Sequence, residues 1–183
     1  LKFFELSVAS TGLNEKTLKK FAIPYKTAIV TRGHHAGYYP GAKNMVLKLI
    51  FDENGKIFGA QAVGEAGVDK RIDVIATAIK GNLTVYDLPE IEITYAPPYN
   101  SAKDPVNIAV YPAENILKGD LEMVNYDEFW DFVKENNAVI LDVRTSKEFS
   151  GGAIEGAINI NVDDLRANLE NLDKNKADKC VYF

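Results

Sequence analysis

The sequence predicts an α+β fold, an antiparallel sheet with helices, followed by a partial α/β domain. The first observation is Asn54-Gly55 between apolar runs at residues 45–52 and 56–63, the strongest short-range signal for a β-hairpin. The second is a change to helical periodicity from Val68 onward. The third is an alternation of helix and strand patterns after residue 119, which is typical of a parallel sheet.

The N-terminal segment predicts a strand, a short helix and a second strand. Residues 2–9 have strand composition, and we expect the segment 10–12, Ser-Thr-Gly, to end this strand. Asn14 is a candidate N-cap for a short helix through Phe21, because its side-chain oxygen can accept from an unpaired backbone N–H. Residues 27–31 are rich in β-branched side chains and predict the next strand.

Two longer helices are predicted in the middle of the chain. Apolar side chains recur at one face of the first, which Gly81 ends; they are Val68, Ile72, Ile75 and Ile79. The second opens at Asp104-Pro105, where proline loses nothing by lacking an N–H, and runs toward Leu117. Pro112 lies inside it and would cost about 3 kcal/mol in a regular helix, so we expect a kink or a break there.

The C-terminal third alternates between helix and strand. Asn125 and Glu128 have the spacing of a capping box, which predicts Asn125 as the N-cap of a helix that carries Phe129, Trp130, Phe132 and Val133. Residues 138–143 form a continuous apolar run, as expected for a parallel strand that is covered on both faces. A further helix follows Asp164, with Leu165, Leu169 and Leu172 on one face, and residues 179–183 predict a last strand.

The net charge of −5 is unevenly divided along the chain. Residues 1–119 hold 14 basic and 12 acidic side chains, whereas residues 120–183 hold 7 basic and 14 acidic. This asymmetry predicts two domains with a boundary near Gly119. Because nucleic acid attracts a basic surface, the acidic second part argues against a nucleic-acid partner.

Composition excludes other classes. The longest apolar runs have strand length, far below the roughly 20 residues of a membrane helix, so we expect no membrane span. Leu1 has no preceding methionine or basic segment, so we expect no signal peptide and a start within a longer chain. The single cysteine, Cys180, cannot form an internal disulfide, which is compatible with a cytoplasmic location.

Three segments carry a resemblance to a known family: residues 4–12, residues 38–42 and residues 95–107. In this order they resemble the C-terminal dimerisation domain of flavin-dependent pyridine nucleotide-disulfide oxidoreductases, in the branch of coenzyme A-disulfide reductases, NADH oxidases and persulfide reductases. The resemblance implies a homodimer and a longer parent enzyme that binds FAD and NAD(P)H. The sequence itself has no G-x-G-x-x-G turn, so we expect no cofactor binding by this chain alone.

The same resemblance assigns candidate site residues. Pro97-Pro98 stiffens its segment, since each proline fixes its own φ and restricts the residue before it. In the family this segment reaches into the partner's active site, and a tyrosine from each of two loops contacts the thiol or disulfide substrate, such as coenzyme A disulfide or a persulfide. By position these roles fall to Tyr99 and Tyr39, with Tyr38 as the competitor of Tyr39, whereas Tyr95 is expected to pack at the interface.

The chemistry suits a tyrosine. With an ordinary pKa near 10, its hydroxyl stays protonated at neutral pH and can donate a hydrogen bond to a thiolate or a leaving thiol. We therefore expect Tyr99 to be catalytic and Tyr39, Tyr99 and Tyr38 to bind substrate. The alternative is that these tyrosines only pack at an interface, where tyrosine is common.

Other charged residues predict less. Adjacent His34-His35 lack the ligand spacing of a metal site, so we expect no metal. Lys70-Arg71 could attract a phosphate group, but a solvent-facing helix side is the preferred interpretation. Lys103-Asp104 is expected to be a solvated or helix-capping pair.

A second resemblance covers residues 121–183. Residues 141–144, 148–149 and 152–160 resemble the rhodanese-like sulfurtransferases, although Ala153 and Asn161 stand where that family commonly has histidine and proline. The family's catalytic cysteine follows the strand that is here 179–183, so we expect this domain to be incomplete and to end before the catalytic loop.

Cys180 lies inside that predicted strand, where a cysteine is usually a small inert side chain. We expect Asp142 and Arg144 to be framework residues, joined as an ion pair or as a hydrogen-bonded strand end.

The sequence thus predicts a C-terminal fragment of an FAD- and NAD(P)H-dependent disulfide reductase, inactive by itself, with a dimerisation domain at 1–119 and a rhodanese-like domain at 120–183. The alternatives are an NADH oxidase of the same family, a sulfurtransferase as the main activity, and an interaction module that contacts no substrate.

Overall fold

The computed structural model describes residues 1–168, Leu172 and residues 180–182. These residues form two compact units, Leu1–Met123 and Val124–Phe183, and each unit is described by itself. Leu121 and Met123 pack against the core of the first unit and are partly buried there. The boundary at residue 119 stays a prediction.

The first unit is built on a five-stranded antiparallel sheet in the order β1-β2-β5-β4-β3. The strands are β1 (Lys2–Phe3), β2 (Leu6–Gly12), β3 (Lys26–Gly33), β4 (Asn44–Phe51) and β5 (Ile57–Gly64). The antiparallel sheet with helices confirms the predicted fold class of this part of the chain.

The single strand predicted over residues 2–9 is wrong in two respects. Phe4 adopts a positive φ of 50°, so the chain turns there and β1 pairs back on β2. The segment Ser-Thr-Gly at 10–12 does not end the strand, because these three residues pair with Gln61, Ala60 and Gly59 of β5. Pairing with a neighbouring strand outweighs the local turn composition.

The predicted hairpin is confirmed, and β4 and β5 are its two strands. One oxygen of Asp52 accepts from the backbone N–H groups of Asn54 and Lys56, at 2.8 and 2.9 Å. Gly55 has a φ of +82°, a left-handed conformation that glycine adopts without the steric cost of a Cβ atom. The Asn-Gly pair therefore supplies the turn that reverses the chain.

The first unit contains the helices α1 (Glu15–Lys20), α2 (Val68–Lys80) and α3 (Pro105–Lys118), with a 3₁₀ turn at Leu88–Glu90. The predicted cap of α1 is confirmed, since Asn14 Oδ1 accepts from the Thr17 N–H at 2.8 Å. The predicted start of α3 is confirmed as well, with Asp104 as N-cap and Pro105 as the first helical residue.

Pro112 does not interrupt α3, which continues from Pro105 to Lys118 as one helix. Of the two outcomes expected at this proline, the break does not occur. The neighbouring Ala109, Val110 and Ala113 are buried, so packing of this helix face against the sheet holds the segment helical.

α2 and α3 cover one face of the sheet. α2 packs on β2 and β5, whereas α3 packs on β3 and β4. Buried side chains from these strands and helices form one apolar core, with Leu47, Leu49 and Phe51 of β4 fully buried.

The second unit has a parallel sheet in the order β7-β6-β8, formed by β6 (Val139–Asp142), β7 (Ile158–Asn159) and β8 (Cys180–Tyr182). All four residues of β6 are buried, which confirms the parallel strand expected there. The described helices are α4 (Phe129–Glu135), α5 (Ser146–Ser150) and α6 (Leu165–Asn168).

The helix expected to carry residues 129, 130, 132 and 133 is present, but its predicted N-cap at Asn125 is wrong. A turn occupies residues 126–128 and α4 begins at Phe129, with Glu128 at the N-cap position. Capping-box chemistry instead begins α5, where the side chain of Thr145 and that of Glu148 each bond to the other's backbone N–H. Leu169 and both ends of the predicted strand 179–183 lie outside the described residues.

None of the described helices has the length and apolarity needed to cross a membrane.

Candidate functional site

The diproline segment forms a closed turn. The backbone N–H groups of Tyr99 and Asn100 both donate to the carbonyl oxygen of Ala96, at 2.8 and 3.0 Å. The turn holds Pro97-Pro98 at its centre and Tyr99 at its exit, with 65% of Tyr99 exposed. Among the described residues, no hydrogen bond reaches the Tyr99 hydroxyl, so this donor faces solvent.

Asn100 anchors the base of this turn. It is fully buried, and its side-chain amide donates to the carbonyl oxygen of Thr94 at 3.3 Å, across the width of the turn. Its side-chain oxygen accepts from the Ser101 N–H at 2.8 Å. A buried amide with its bonds satisfied fixes the position of the backbone around it.

The loop after β3 meets the diproline turn. The Ala36 N–H donates to the carbonyl oxygen of Asn100 at 3.1 Å, which joins the two loops through their backbones. His35 is buried beside this bond, and its Nδ1 lies 3.0 Å from the Ala36 carbonyl oxygen. The ring of Tyr39 packs edge-on against the His35 ring, with centroids 5.6 Å apart.

One pair of tyrosine hydroxyls is brought together, and it joins Tyr38 to Tyr95 at 3.1 Å. The hydrogen bond with Tyr95 raises the pKa of Tyr38 above its usual value, so Tyr38 is protonated at neutral pH. The sequence predicts only interface packing for Tyr95. The structure therefore adds Tyr95 to the candidate residues and brings Tyr38 into contact with the second loop.

Arg71 lies beneath both loops, and the interpretation of Lys70-Arg71 as a solvent-facing helix side is wrong for Arg71. Only 1% of Arg71 is exposed. Its Nη2 donates to the carbonyl oxygen of His34 at 2.6 Å and to Asn100 Oδ1 at 3.1 Å. Its Nη1 donates to the carbonyl oxygen of Gly67 at 3.1 Å, at the start of α2. One guanidinium group thus contacts both tyrosine loops, which are the loop after β3 at residues 34–43 and the diproline turn at residues 95–100.

Asp104 is the charge partner of Arg71. Its Oδ2 accepts from Arg71 Nε at 3.1 Å and lies 3.0 Å from Nη2. The other oxygen accepts from the Val106 N–H at 2.8 Å, which caps α3 and confirms the capping role considered for Asp104. Both side chains are almost fully buried, so each charge is stabilised by the other and by hydrogen bonds instead of by water.

The sequence carries a signal for the burial of Arg71. Residues 68, 71, 72, 75 and 78 share the buried face of α2, and Arg71 occupies one of these apolar positions. An arginine at a core position of an amphipathic helix indicates a buried ion pair, because an unpaired buried charge is strongly unfavourable. Its partner Asp104 is 33 residues away and could not be identified from periodicity.

A cavity of about 540 Å³ lies beside the diproline turn. Its walls combine the extended segment 91–95 with the start of α3, including Tyr95, Lys103 and Asp104. Tyr95 therefore both lines this cavity and bonds to Tyr38.

His34 has a structural environment. Its Nδ1 accepts from the Lys43 N–H at 3.0 Å, and burial lowers the pKa of the ring, so the neutral form is favoured at neutral pH. Over the part of the chain that the structure describes, no group of three His, Cys, Asp or Glu side chains could hold a metal ion.

In the second unit, Asp142 and Arg144 form the expected framework. Arg144 Nη2 lies 2.6 Å from Asp142 Oδ2, and Nε lies 3.0 Å from Oδ1. The same Nη2 donates to the carbonyl oxygen of Gly152 at 2.8 Å, and the Asn159 amide donates to the carbonyl oxygens of Asp142 and Arg144. These bonds join the end of β6 to the glycine-rich turn.

Cys180 lies in β8, opposite Val139, so its predicted placement in a strand is confirmed.

Family profiles match both units. The profile of the pyridine nucleotide-disulphide oxidoreductase dimerisation domain matches residues 1–105, and that of the rhodanese-like domain matches residues 125–183. A coenzyme A disulfide reductase of Staphylococcus aureus is 46% identical over 115 residues, which are 62% of this chain and 26% of that protein. The chain therefore spans about a quarter of the length of the curated relatives it matches.

Two solved structures are similar over 99% of this chain and 32% of their own. The reduced CoADR-RHD of Bacillus anthracis has a TM-score of 0.90 and 51% identity. An NAD-dependent persulfide reductase from A. fulgidus has a TM-score of 0.86 and 36% identity.

Proposed function

Since this chain belongs to the pyridine nucleotide-disulphide oxidoreductase family, we propose that it supplies the subunit interface and part of the active site of a disulfide reductase. The parent enzyme would act on a disulfide or persulfide of a thiol such as coenzyme A. Support comes from relatives whose names describe reduction of coenzyme A disulfide or of a persulfide. They favour a reductase over an NADH oxidase or a sulfurtransferase as the main activity.

The family depends on a flavin and NAD(P)H, and the bound cofactors supply reducing equivalents that cleave a sulfur–sulfur bond. This sequence carries no G-x-G-x-x-G turn for a dinucleotide, so we propose that FAD and NAD(P)H bind to residues outside this chain. The contribution of these 183 residues would then be to pair subunits and to present side chains to the substrate.

The observation that carries the proposal is the junction of the two tyrosine loops. The bond from the Ala36 N–H to the Asn100 carbonyl oxygen holds the loops together, while Tyr38, Tyr39, Tyr95 and Tyr99 remain at least 43% exposed. Exposed aromatic side chains on a rigid support suit an intersubunit contact, where rigid tyrosines add contact area at low entropic cost. A homodimer in a reducing, cytoplasmic compartment fits this role.

We assign roles to individual hydroxyls. Tyr99 would donate a hydrogen bond to the thiolate that forms when the sulfur–sulfur bond breaks, which stabilises the developing charge. Tyr39 and Tyr38 would bind the substrate, with the Tyr38 hydroxyl oriented by Tyr95. The hydrogen bond with Tyr95 raises the pKa of Tyr38, so this hydroxyl stays protonated at neutral pH.

The test is a set of Tyr→Phe substitutions at positions 38, 39 and 99 of the full-length enzyme. Loss of a bond to a charged group should lower kcat of Tyr99→Phe by about 10- to 100-fold. Tyr39→Phe and Tyr38→Phe should mainly raise KM for the disulfide, by about 3- to 10-fold. Steady-state kinetics with coenzyme A disulfide and with a persulfide would measure both parameters.

Tyr126→Phe is the matched control, because Tyr126 is 95% exposed and belongs to the second unit. It should leave kcat and KM unchanged. If Tyr99→Phe, Tyr39→Phe and Tyr38→Phe all keep normal kinetics while the protein remains dimeric, the tyrosines only pack and the proposed substrate role is wrong.

A further inference from the structure

We propose that Arg71 is a positioning residue of the site. Its guanidinium group fixes the positions of the two tyrosine loops relative to each other. This inference rests on the proposed function for its kinetic consequence. Its structural content, that one buried guanidinium group holds both loops, stands on contacts of the described residues alone.

Arg71 joins four separate parts of the first unit. Through Nη2 it contacts the carbonyl oxygen of His34 in the first loop and the Asn100 side chain in the second. Through Nη1 it contacts Gly67 ahead of α2, and through Nε it contacts Asp104 ahead of α3. The helices α2 and α3 pack on the sheet, so Arg71 connects both loops to the core of the first unit.

The contacts require an arginine. A guanidinium group has five N–H donors in a planar fork, whereas a lysine has a single point charge on a flexible stem. The acceptors around Arg71 are two backbone carbonyl oxygens, one amide oxygen and one carboxylate, and they surround the group on several sides. If lysine occupied this position, its single ammonium group could not reach all four acceptors.

The site is buried and fully bonded. Among the described residues, no buried side-chain nitrogen or oxygen lacks a hydrogen-bond partner. If the guanidinium is removed, Asn100 and Asp104 lose a partner in a place where water does not replace it, because both are at most 2% exposed. The expected relaxation is a shift of the chain around Asn100, which is the base of the diproline turn.

A small shift is enough to matter for the tyrosines. The His34 and Asn100 contacts lie within four residues of Tyr38 and within one residue of Tyr99. A misplacement of about 1 Å in a reacting group can lower a rate by about 100-fold. Arg71 touches no hydroxyl of the site, so it acts through the loops and is not itself catalytic.

The structural test is hydrogen–deuterium exchange of the full-length enzyme with Arg71→Lys. Exchange should become at least tenfold faster for the Ala36 and Ser101 N–H groups, which bond at Asn100, and stay unchanged in β4 and β5. Asn100→Ala is a second variant, since it cuts the Arg71 contact to one loop and leaves the Arg71–Asp104 pair in place.

Lys70→Gln is the matched control, because Lys70 is the neighbouring cation on α2 and makes none of these contacts. It should change neither exchange nor kinetics.

The kinetic test is a double-mutant cycle between Arg71→Lys and Tyr99→Phe. Arg71→Lys alone should lower kcat/KM by about tenfold or more. In the Arg71→Lys background, Tyr99→Phe should have little further effect, less than about threefold, because the hydroxyl is already misplaced. A general loss of stability would leave the two effects additive.

The outcomes separate the two proposals. Unchanged exchange in both loops of Arg71→Lys, or faster exchange spread evenly over the first unit, overturns the positioning role. Where Tyr99→Phe alone lowers kcat/KM, additive effects in the cycle overturn it as well. If the loops exchange faster but Tyr99→Phe alone has no effect, the positioning role is supported and the substrate role of Tyr99 is wrong.

Discussion

Single side chains decide how the two tyrosine loops meet. Tyr38 and Tyr95 share a hydrogen bond, and Asn100 bonds across its own turn. Arg71 then connects the turn to the other loop. Each of these residues is polar, and each is specific because its partner is fixed in direction as well as in distance.

The Asp142–Arg144 pair predicts a pH effect in the second unit. Hydrogen bonds from Arg144 hold the pKa of Asp142 below its usual value. A carboxyl group with a depressed pKa in the folded state contributes stability above its unfolded pKa and loses it as the pH falls through the folded pKa. We expect Arg144→Gln to raise the pKa of Asp142 and to move acid unfolding to higher pH.

The measurement is a carboxyl-carbon NMR titration of Asp142, together with acid unfolding followed by circular dichroism. Arg166→Gln removes the same charge from the exposed side chain of α6 and should leave Asp142 unchanged. An unaltered Asp142 titration in Arg144→Gln would contradict this assignment of the pKa shift.

Helix ends and turns show where local chemistry is sufficient. Asn14 caps α1, Asp104 with Pro105 begins α3, and Asn54-Gly55 turns the hairpin. The start of α2 is different, because Gly67 combines a left-handed φ of +67° with a close approach to Arg71. Its role depends on both backbone conformation and tertiary contact.

Gly67→Ala tests this start of α2. An added Cβ would lie 2.4 Å from Arg71 Nη1 and in a backbone region that disfavours a side chain. The left-handed conformation alone costs roughly 1–2 kcal/mol, and displacement of the guanidinium adds to it. We expect the free energy of unfolding, measured by urea denaturation, to fall by about 2 kcal/mol or more.

Gly37→Ala is the control, because no atom lies within 4 Å of a Cβ built there. It should change the free energy of unfolding by less than about 0.5 kcal/mol. An equally stable Gly67→Ala protein would show that Arg71 adjusts without loss.

The molecule as a whole consists of two units with different charge. The first is close to neutral and carries the tyrosine loops, and the second is acidic. In the proposed homodimer, the tyrosines of one subunit would complete the active site of the other. A two-fold symmetric dimer would then hold two such shared sites.

Subunit complementation tests the shared site. One full-length variant carries Tyr38→Phe and Tyr99→Phe. The other carries a substitution of the active-site cysteine of the full-length reductase, which we propose lies outside this chain. After mixed refolding or co-expression, each heterodimer holds one site with both functional parts. We expect about one quarter of wild-type activity from a random mixture of subunits.

Each variant dimer alone should be much less active than the mixture, and analytical ultracentrifugation should show dimers throughout. If the mixture is no more active than the average of its components, the tyrosines act within their own subunit.

Local sequence patterns were sufficient to predict most of the fold. The hairpin, the apolar face of α2, the start of α3 and the buried strand β6 follow from turn residues and periodicity between near neighbours. The errors occur where distant pairing or packing overrides local preference. β2 continues through a Ser-Thr-Gly segment because β5 pairs with it, and α3 continues through Pro112 because its face is packed.

The candidate site divides in the same way. The sequence by itself determined which segments carry the tyrosines and that proline stiffens one of them. Only the tertiary structure decided that Tyr38 meets Tyr95 and that Arg71 lies beneath both loops. These contacts join residues 57, 37 and 29 positions apart, so they depend on sheet and helix packing and not on any local pattern.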